Sequence, residues 1–330
     1  MTAALAQLRL TLDGVDLADK IDPRFVELTL TEKRGGEADE LTLTLQNADG
    51  RLALPEPGKI LALSMGWKSG DDVRLGLIDK GRFKVDEVEA SGPPDQIRIT
   101  ARSADLAGAY AKRRTRAWHN TTLGAVLADI ARRHGIAAQV HPDLAGKPLA
   151  VLDQHGKSDM ALVKDLGSRY DAVATWKARL LLFMPIGSTT TASGAAIPAH
   201  TVTRADCGRW SFTRALRDQK DGVEAQWHDQ DAGRRRTVST GGDNPKRLKR
   251  VYATEAEAQQ AAEAEKKKRS RGGYSFELDL ARAICALQPN QRITLSGWNS
   301  KIDAIGWLVE SVETSFSARG MTQRLRLESA

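Results

Sequence analysis

The sequence is poor in the residues that most often announce a chemistry. It holds two cysteines, Cys207 and Cys285, with no Cys-x-x-Cys pair and no histidine at ligand spacing beside them. That pattern predicts two reduced, buried thiols, with a disulfide or a shared metal as the lesser reading. Aromatic residues make up only 5% of the chain and do not interleave with its basic run, which argues against a stacking platform for single-stranded nucleic acid. No apolar run is long enough to cross a bilayer as a helix, so no membrane insertion is expected. Met1 to Leu5 opens without a basic segment leading into an apolar one; no signal peptide is expected, and assembly is expected in a cytoplasm. Motifs that depend on fixed spacing are absent too: no G-x-S-x-G elbow, no Walker A loop, no G-x-G-x-x-G, no H-E-x-x-H and no EF-hand loop. The six histidines (His119, His134, His141, His155, His200 and His228) are scattered and read as surface or cap residues. Carboxylate pairs such as Asp71–Asp72 or Asp229 with Asp231 lie in polar turn text. No catalytic, metal or cofactor-binding residue is assigned, no cofactor is expected, and an enzyme is disfavoured.

What is present is a normal globular composition with a strong β signal. Hydrophobic residues make up 41% of the 330 residues, enough for two or three cores of ordinary size. Leu41 to Leu45 alternates leucine with threonine, which places the leucines on one face of a strand. Similar text covers Ile60 to Trp67, the stretch around Phe83, Val85 and Val88, and Ile97 to Arg102. Gly and Pro clusters at 49–50, 55–58 and 91–95 separate these runs. The middle changes period. Thr121 or Thr122 caps a helix with Leu123, Val126, Leu127, Ile130 and Ala131 inward and Gly135 as its stop. Ser158 caps a second, with Met160, Leu162, Val163 and Leu166 inward, and Trp176 to Phe183 reads as a strand. A Gly/Ser/Thr/Ala-rich linker follows at 187–199. Strand text returns at Trp210–Thr213, Val223–Trp227, Ser275–Leu280, Arg292–Leu295, Ile305–Val309 and Gln323–Leu327. Thr254 and Glu257 form a capping box that opens an Ala-rich helix, expected to pack shallowly or lie on the surface. No direct repeat stands out, although both ends are β-rich.

Charge is unevenly spread. The segment Arg234 to Arg271 carries twelve basic and five acidic side chains, and so holds the whole net excess of +7. Arg234, Arg235, Arg236, Lys266, Lys267, Lys268 and Arg269 are therefore the candidate contact residues, toward a partner or along a channel. A solvated loop and helix face is the plainer reading. A nucleic-acid-binding or regulatory protein is the main alternative function, although specific DNA binding is disfavoured because no helix-turn-helix or zinc spacing is present. A cell-wall hydrolase is the third.

Several segments resemble the late-control D proteins of phages. They are Ser91–Asp95 with Ala101–Leu106, Lys112–Trp118 leading into the 122–135 helix, Ser158–Leu162 through Tyr170–Ala172, and Leu181–Phe183. Near the end, Gly297–Trp298, Ile302–Asp303, Trp307–Val309 and Gly320–Glu328 continue the match in order and spacing. The resemblance implies a baseplate hub of a contractile tail, similar also to the N-terminal part of type VI secretion spike proteins. It implies a β-rich α+β fold. Residues 1–109 and residues 200–232 with 288–330 would be two tube-like β-barrel domains, 110–186 an α+β middle domain, 187–199 a linker, and 233–287 a basic helical insertion returning to the middle domain. It implies a homotrimer that adapts a sixfold tail tube to a threefold spike. The partners would be the chain itself, the spike and tube proteins, other baseplate proteins and, as a further candidate, the tape-measure protein. The protein would reside in the tail of a virion or tail-like particle.

Overall fold

The structure, a computed structural model, describes residues 2–35, 37–103, 109–177, 180–214 and 221–330. Ala104, Asp105 and Leu106, part of the family resemblance, lie outside the described residues. The fold is strand-rich, and one sheet of thirteen strands runs through both ends of the chain.

The first β-unit pairs its strands in the order Phe25–Lys33, Glu40–Gln46, Gln96–Ser103, Gly76–Ser91, Ile60–Ser69 and Leu5–Leu12. Alternation sets the inward face: Leu28, Leu30, Leu41, Leu43, Leu61, Leu63, Met65 and Phe83 are all buried. Each such side chain contributes about 1.5–3 kcal/mol by leaving water.

The middle region keeps the expected helices. Leu123–Arg133 starts where Thr122 accepts a hydrogen bond from the Ala125 amide at 3.3 Å, and Gly135 follows it at φ +68°. Asp159–Tyr170 starts where Ser158 accepts from the Ala161 amide at 3.1 Å. The expected strand over 176–183 is two strands, Ala172–Lys177 and Leu180–Pro185, paired antiparallel with Trp176 opposite Leu181. Lys177 and Arg179 mark the break between two mostly apolar runs, each of which supplies one strand of the hairpin. The 187–199 stretch is tethered rather than free. The Gly187 amide donates to Asn290 Oδ1 at 2.9 Å, Arg292 Nε donates to the Gly187 carbonyl at 2.8 Å, and Thr190 hydrogen-bonds His141 at 2.8 Å.

The second β-unit orders Cys207–Arg214, Tyr274–Leu280, Gly320–Ser329 and Trp307–Ser317, with Arg292–Ser296 and His200–Thr203 at its flank. Phe276, Leu278, Trp307, Val309, Val312 and Leu325 form its core. The strand at Gly222–Asp229 does not join this unit. It is the centre of a separate three-stranded sheet with Arg234–Ser239 and Pro245–Tyr252. The Glu255–Arg271 helix covers that sheet and buries Ala258, Ala261 and Ala262 against Val223, Ala225, Val238 and Tyr252. Its small side chains pack close to the sheet, so the Ala-rich face is covered while the lysine face stays in water.

The two β-units repeat one pattern. In each, two antiparallel strands (Phe25–Lys33 with Glu40–Gln46; Cys207–Arg214 with Tyr274–Leu280) precede a terminal hairpin. Gly76–Ser91 with Gln96–Ser103 is that hairpin in the first unit, and Trp307–Ser317 with Gly320–Ser329 in the second. The register carries the match to single residues. Val85 faces Ala101, a bulge intervenes, and Glu87 faces Thr100. Val309 faces Leu327, a bulge intervenes, and Ser311 faces Arg326. The local sequences then read Val-Asp-Glu-Val-Glu at 85–89 and Val-Glu-Ser-Val-Glu at 309–313. The units are joined by a seam in which Phe25–Lys33 pairs antiparallel with Trp307–Ser317, Leu30 opposite Thr314.

Candidate assembly surface

The basic residues singled out from sequence fall on two separate places. Arg234, Arg235 and Arg236 occupy the start of an edge strand and are exposed; Arg236 Nε donates to Asp229 Oδ2 at 2.8 Å. Lys266, Lys267, Lys268 and Arg269 lie on the last turns of the Glu255–Arg271 helix, where cations favour the carbonyl end of the helix dipole. Lys266 Nζ donates to the Thr240 carbonyl at 3.1 Å. Thr240 lies just past the far end of the strand that Arg234 begins, roughly 20 Å away at about 3.3 Å per residue. The two clusters therefore form two surfaces rather than one.

Arg271, the last basic residue of the run, points inward. Its guanidinium forks onto the Asp171 carboxylate, and its Nε also contacts Glu328 at 3.3 Å. Glu328 in turn takes Arg34 at 2.6 Å. One chain of buried and half-buried charges thus ties the insertion, the middle region, the last strand and the first unit together. Three further ion pairs act alongside it. Arg169 meets Glu257 at 2.9 Å between the middle region and the insertion. Glu32 holds Lys80 at 2.7 Å within the first unit and Lys177 of the middle region at 3.3 Å. Burial raises the Asp39 pKa beside this group despite the nearby Lys177 charge. Arg271–Asp171, Arg169–Glu257 and Glu32–Lys80 are buried, so their geometry fixes orientation more than it adds net stability.

The titratable groups fit a structural role of the same kind. Asp159 is fully buried; Gln154, His134 and Arg133 surround its carboxylate at 2.8 Å each. Burial acts against the charge, but the hydrogen bonds from Gln154 and His134 and the Arg133 charge outweigh it, so the pKa is lowered. His134 ends its helix and stacks on Tyr110 at 4.0 Å, and His141 caps the next short helix. Both cysteines are free and buried, and burial pushes each thiol up to about 11. A cleft of about 580 Å³ between the β-units is lined by Trp67, Arg74, His200 and residues 280–286. Among the described residues no three histidine, cysteine or carboxylate side chains gather as a metal site, and no helix is long and apolar enough to cross a membrane.

The open sheet edges are the features that sequence reasoning missed. Among the described residues, Cys207–Arg214 pairs on one side only, with Tyr274–Leu280, and carries Trp210 38% exposed. From Glu87 to Ser91 the long Gly76–Ser91 strand likewise has a partner on one side only, Gln96–Ser103. The local signal was the Val-x-x-Val-Glu repeat, invisible until the register aligned it.

Comparison with known proteins places this architecture. The sequence model described as phage tail baseplate hub (GPD) matches residues 26–320. A probable baseplate hub protein of Escherichia phage P2 is 34% identical and covers 97% of this chain and 92% of its own length. Among solved structures, a tail protein of Neisseria meningitidis MC58 superposes with TM-score 0.68 over 98% of this chain and 96% of its own, at 11% identity. An E. coli component of the type VI secretion system superposes with TM-score 0.58 over 97% of this chain and 76% of its own, at 13% identity. A match across nearly the whole chain, on a fold of two fused β-units, means that this chain belongs to the phage tail baseplate hub family.

Proposed function

We propose that the chain, as a hub of a phage-type tail, is a homotrimeric symmetry adaptor joining a sixfold tail tube to a threefold spike. The observation that carries this reading is the duplication. Each chain holds two β-units of one strand order, side by side in one sheet, so three chains offer six such units. The role is structural rather than enzymatic. It rests on self-complementary surfaces, and buried ion pairs such as Arg271–Asp171 and Arg169–Glu257 fix one part of the chain against another. The partners are further copies of the chain, the spike protein, the tube protein, other baseplate proteins and, along the channel, the tape-measure protein; assembly takes place in the host bacterial cytoplasm. The same reading divides the chain into tube-like β domains at 1–109 and at 200–214 with 272–330, a middle domain at 110–186, a tethered connection at 187–199, and an insertion at 221–271. The insertion begins before 233 because the Gly222–Asp229 strand pairs within it. The exposed basic clusters face a neighbouring tail component.

Light scattering on the purified chain, alone and with the spike protein of the same gene cluster, tests this. A trimer, or a monomer that enters a 3:3 complex, is expected. A chain that stays monomeric with spike and tube proteins present overturns it. Reversing the charge of Lys266, Lys267 and Lys268 is expected to weaken assembly or infectivity, and unchanged infectivity removes those residues from the contact.

A further inference from the structure

We propose that Lys80 and Glu32 condense into an amide, so that the folded chain staples its first β-unit covalently across the core. This goes beyond the adaptor reading and does not depend on it. Glu32 lies on Phe25–Lys33, the strand that makes the seam with Trp307–Ser317, and Lys80 lies on Gly76–Ser91. The two strands are not neighbours, because Glu40–Gln46 and Gln96–Ser103 stand between them in the sheet order. Their contact crosses the interior, and the bond ties the seam strand to the far side of its own unit.

Burial and charge single out this pair. Alternation puts Glu32 on the same inward face as Leu28 and Leu30. The side chains of Glu32 and Lys80 are each 2% exposed, and Nζ stands 2.7 Å from Oε2. Lys177 Nζ lies 3.3 Å from the other Glu32 oxygen, Oε1, and 3.3 Å from Asp39 Oδ2. The cluster therefore holds two ammonium groups and two carboxylates. An amide between Lys80 and Glu32 removes the two charges that are fully buried and cost most to desolvate. It leaves Lys177 with Asp39, the pair nearer water, so that no remaining charge loses its partner. The buried pairs at Arg271 and Arg169 have no such outlet, because a guanidinium stays protonated and is no amine nucleophile.

The step needs no co-reactant. A proton passes along the hydrogen bond from Lys80 Nζ to Glu32 Oε2, which gives a neutral amine and a carboxylic acid. The nitrogen lone pair attacks Cδ, the C–N bond forms, and the carbonyl electrons move onto Oε1. The Lys177 ammonium beside Oε1 stabilises that oxyanion, and Asp39 holds the ammonium in place. A second proton moves from nitrogen to Oε2, the C–Oε2 bond breaks, and one water leaves as the carbonyl re-forms. The fixed contact of the two side chains replaces a bimolecular encounter.

Intact-mass spectrometry of the full chain under denaturing conditions reads the bond directly. Chain recovered unfolded from inclusion bodies should carry the full mass of its sequence, and the same chain after refolding should be one water lighter. Trypsin should then yield a branched peptide joining residues 25–33 to residues 75–82, uncut at Lys80. Glu32→Ala and Lys80→Met should keep the full mass. Lys177→Met should slow the loss of water after refolding by at least roughly tenfold, since it removes the charge beside Oε1; an unchanged rate overturns the part given to Lys177. Refolded parent chain that keeps its full mass overturns the staple, and that reading requires no variant to fold. So does a lost water that maps to Asp13–Gly14, Asp49–Gly50 or Asp221–Gly222, where a succinimide at an Asp–Gly step has the same mass. Light scattering reads the adaptor role separately, so a chain without the staple can still assemble.

Discussion

The first and second β-units share a strand order and differ in what interrupts and what covers it. In the first unit a short loop joins Phe25–Lys33 to Glu40–Gln46. In the second, the equivalent strands Cys207–Arg214 and Tyr274–Leu280 are separated by a sheet and a helix with a core of their own. The cores tolerate this difference, because a loop can lengthen at a cost that grows only slowly with its length. The edges are less tolerant. Equivalent residues are buried in one unit and exposed in the other, so surface in this chain is decided by neighbours as much as by residue type.

The comparison is broken most severely in the shared cores. Phe83 and Trp307 occupy equivalent positions, two residues before Val85 and Val309, and are 2% and 0% exposed. Phe83→Ala and Trp307→Ala should each destabilise by about 3–5 kcal/mol, read as a lower urea midpoint. The edges should separate the units. Glu32→Ala leaves Lys80 buried without its carboxylate and should cost about 3–5 kcal/mol. Arg214→Ala, at the exposed end of the strand equivalent to Phe25–Lys33, should change the unassembled chain by less than about 0.5 kcal/mol in the same melt. At the junction of the units, Arg271→Lys keeps the charge and loses the fork onto Asp171; a loss of roughly 2 kcal/mol is expected in thermal unfolding.

Smaller and pH-dependent is the effect at Asp159. Its folded pKa is lowered, so its contribution is fully present above the ordinary carboxylate value of 3.8 and is lost as pH falls through the folded value. Asp159→Asn should therefore lower stability at neutral pH and flatten the acid limb of the stability curve, measured by urea melts from pH 2 to 7. Smallest of all, Lys266→Glu with Lys267→Glu and Lys268→Glu should leave the melt of the isolated chain within about 0.5 kcal/mol, because these side chains are exposed.

Local features were legible. Thr122, Ser158 and Thr254 each cap the helix their spacing announces, and Leu41–Leu45 buries its leucines as alternation requires. Leu5–Leu12 and Phe25–Lys33 were not singled out, although Leu8, Leu10 and Leu12, and Leu28 and Leu30, alternate as strand residues do. The basic run divided among an edge strand, a helix end and a buried ion pair for a similar reason: charge counts carry no direction. Arg271 reads like Lys268 in sequence, yet one packs on Asp171 and the other stays exposed.

By itself, the sequence determined the periods, the caps and the absence of local catalytic motifs, since each depends on residues within a turn or two of one another. Tertiary structure alone decided that the two ends form one sheet, that Gly222–Asp229 leaves the second unit, and which edges stay open. Those outcomes depend on pairing between strands far apart in the chain, as with Leu30 and Thr314. A strand's pattern states which face it buries; only the partner strand states which edge it closes.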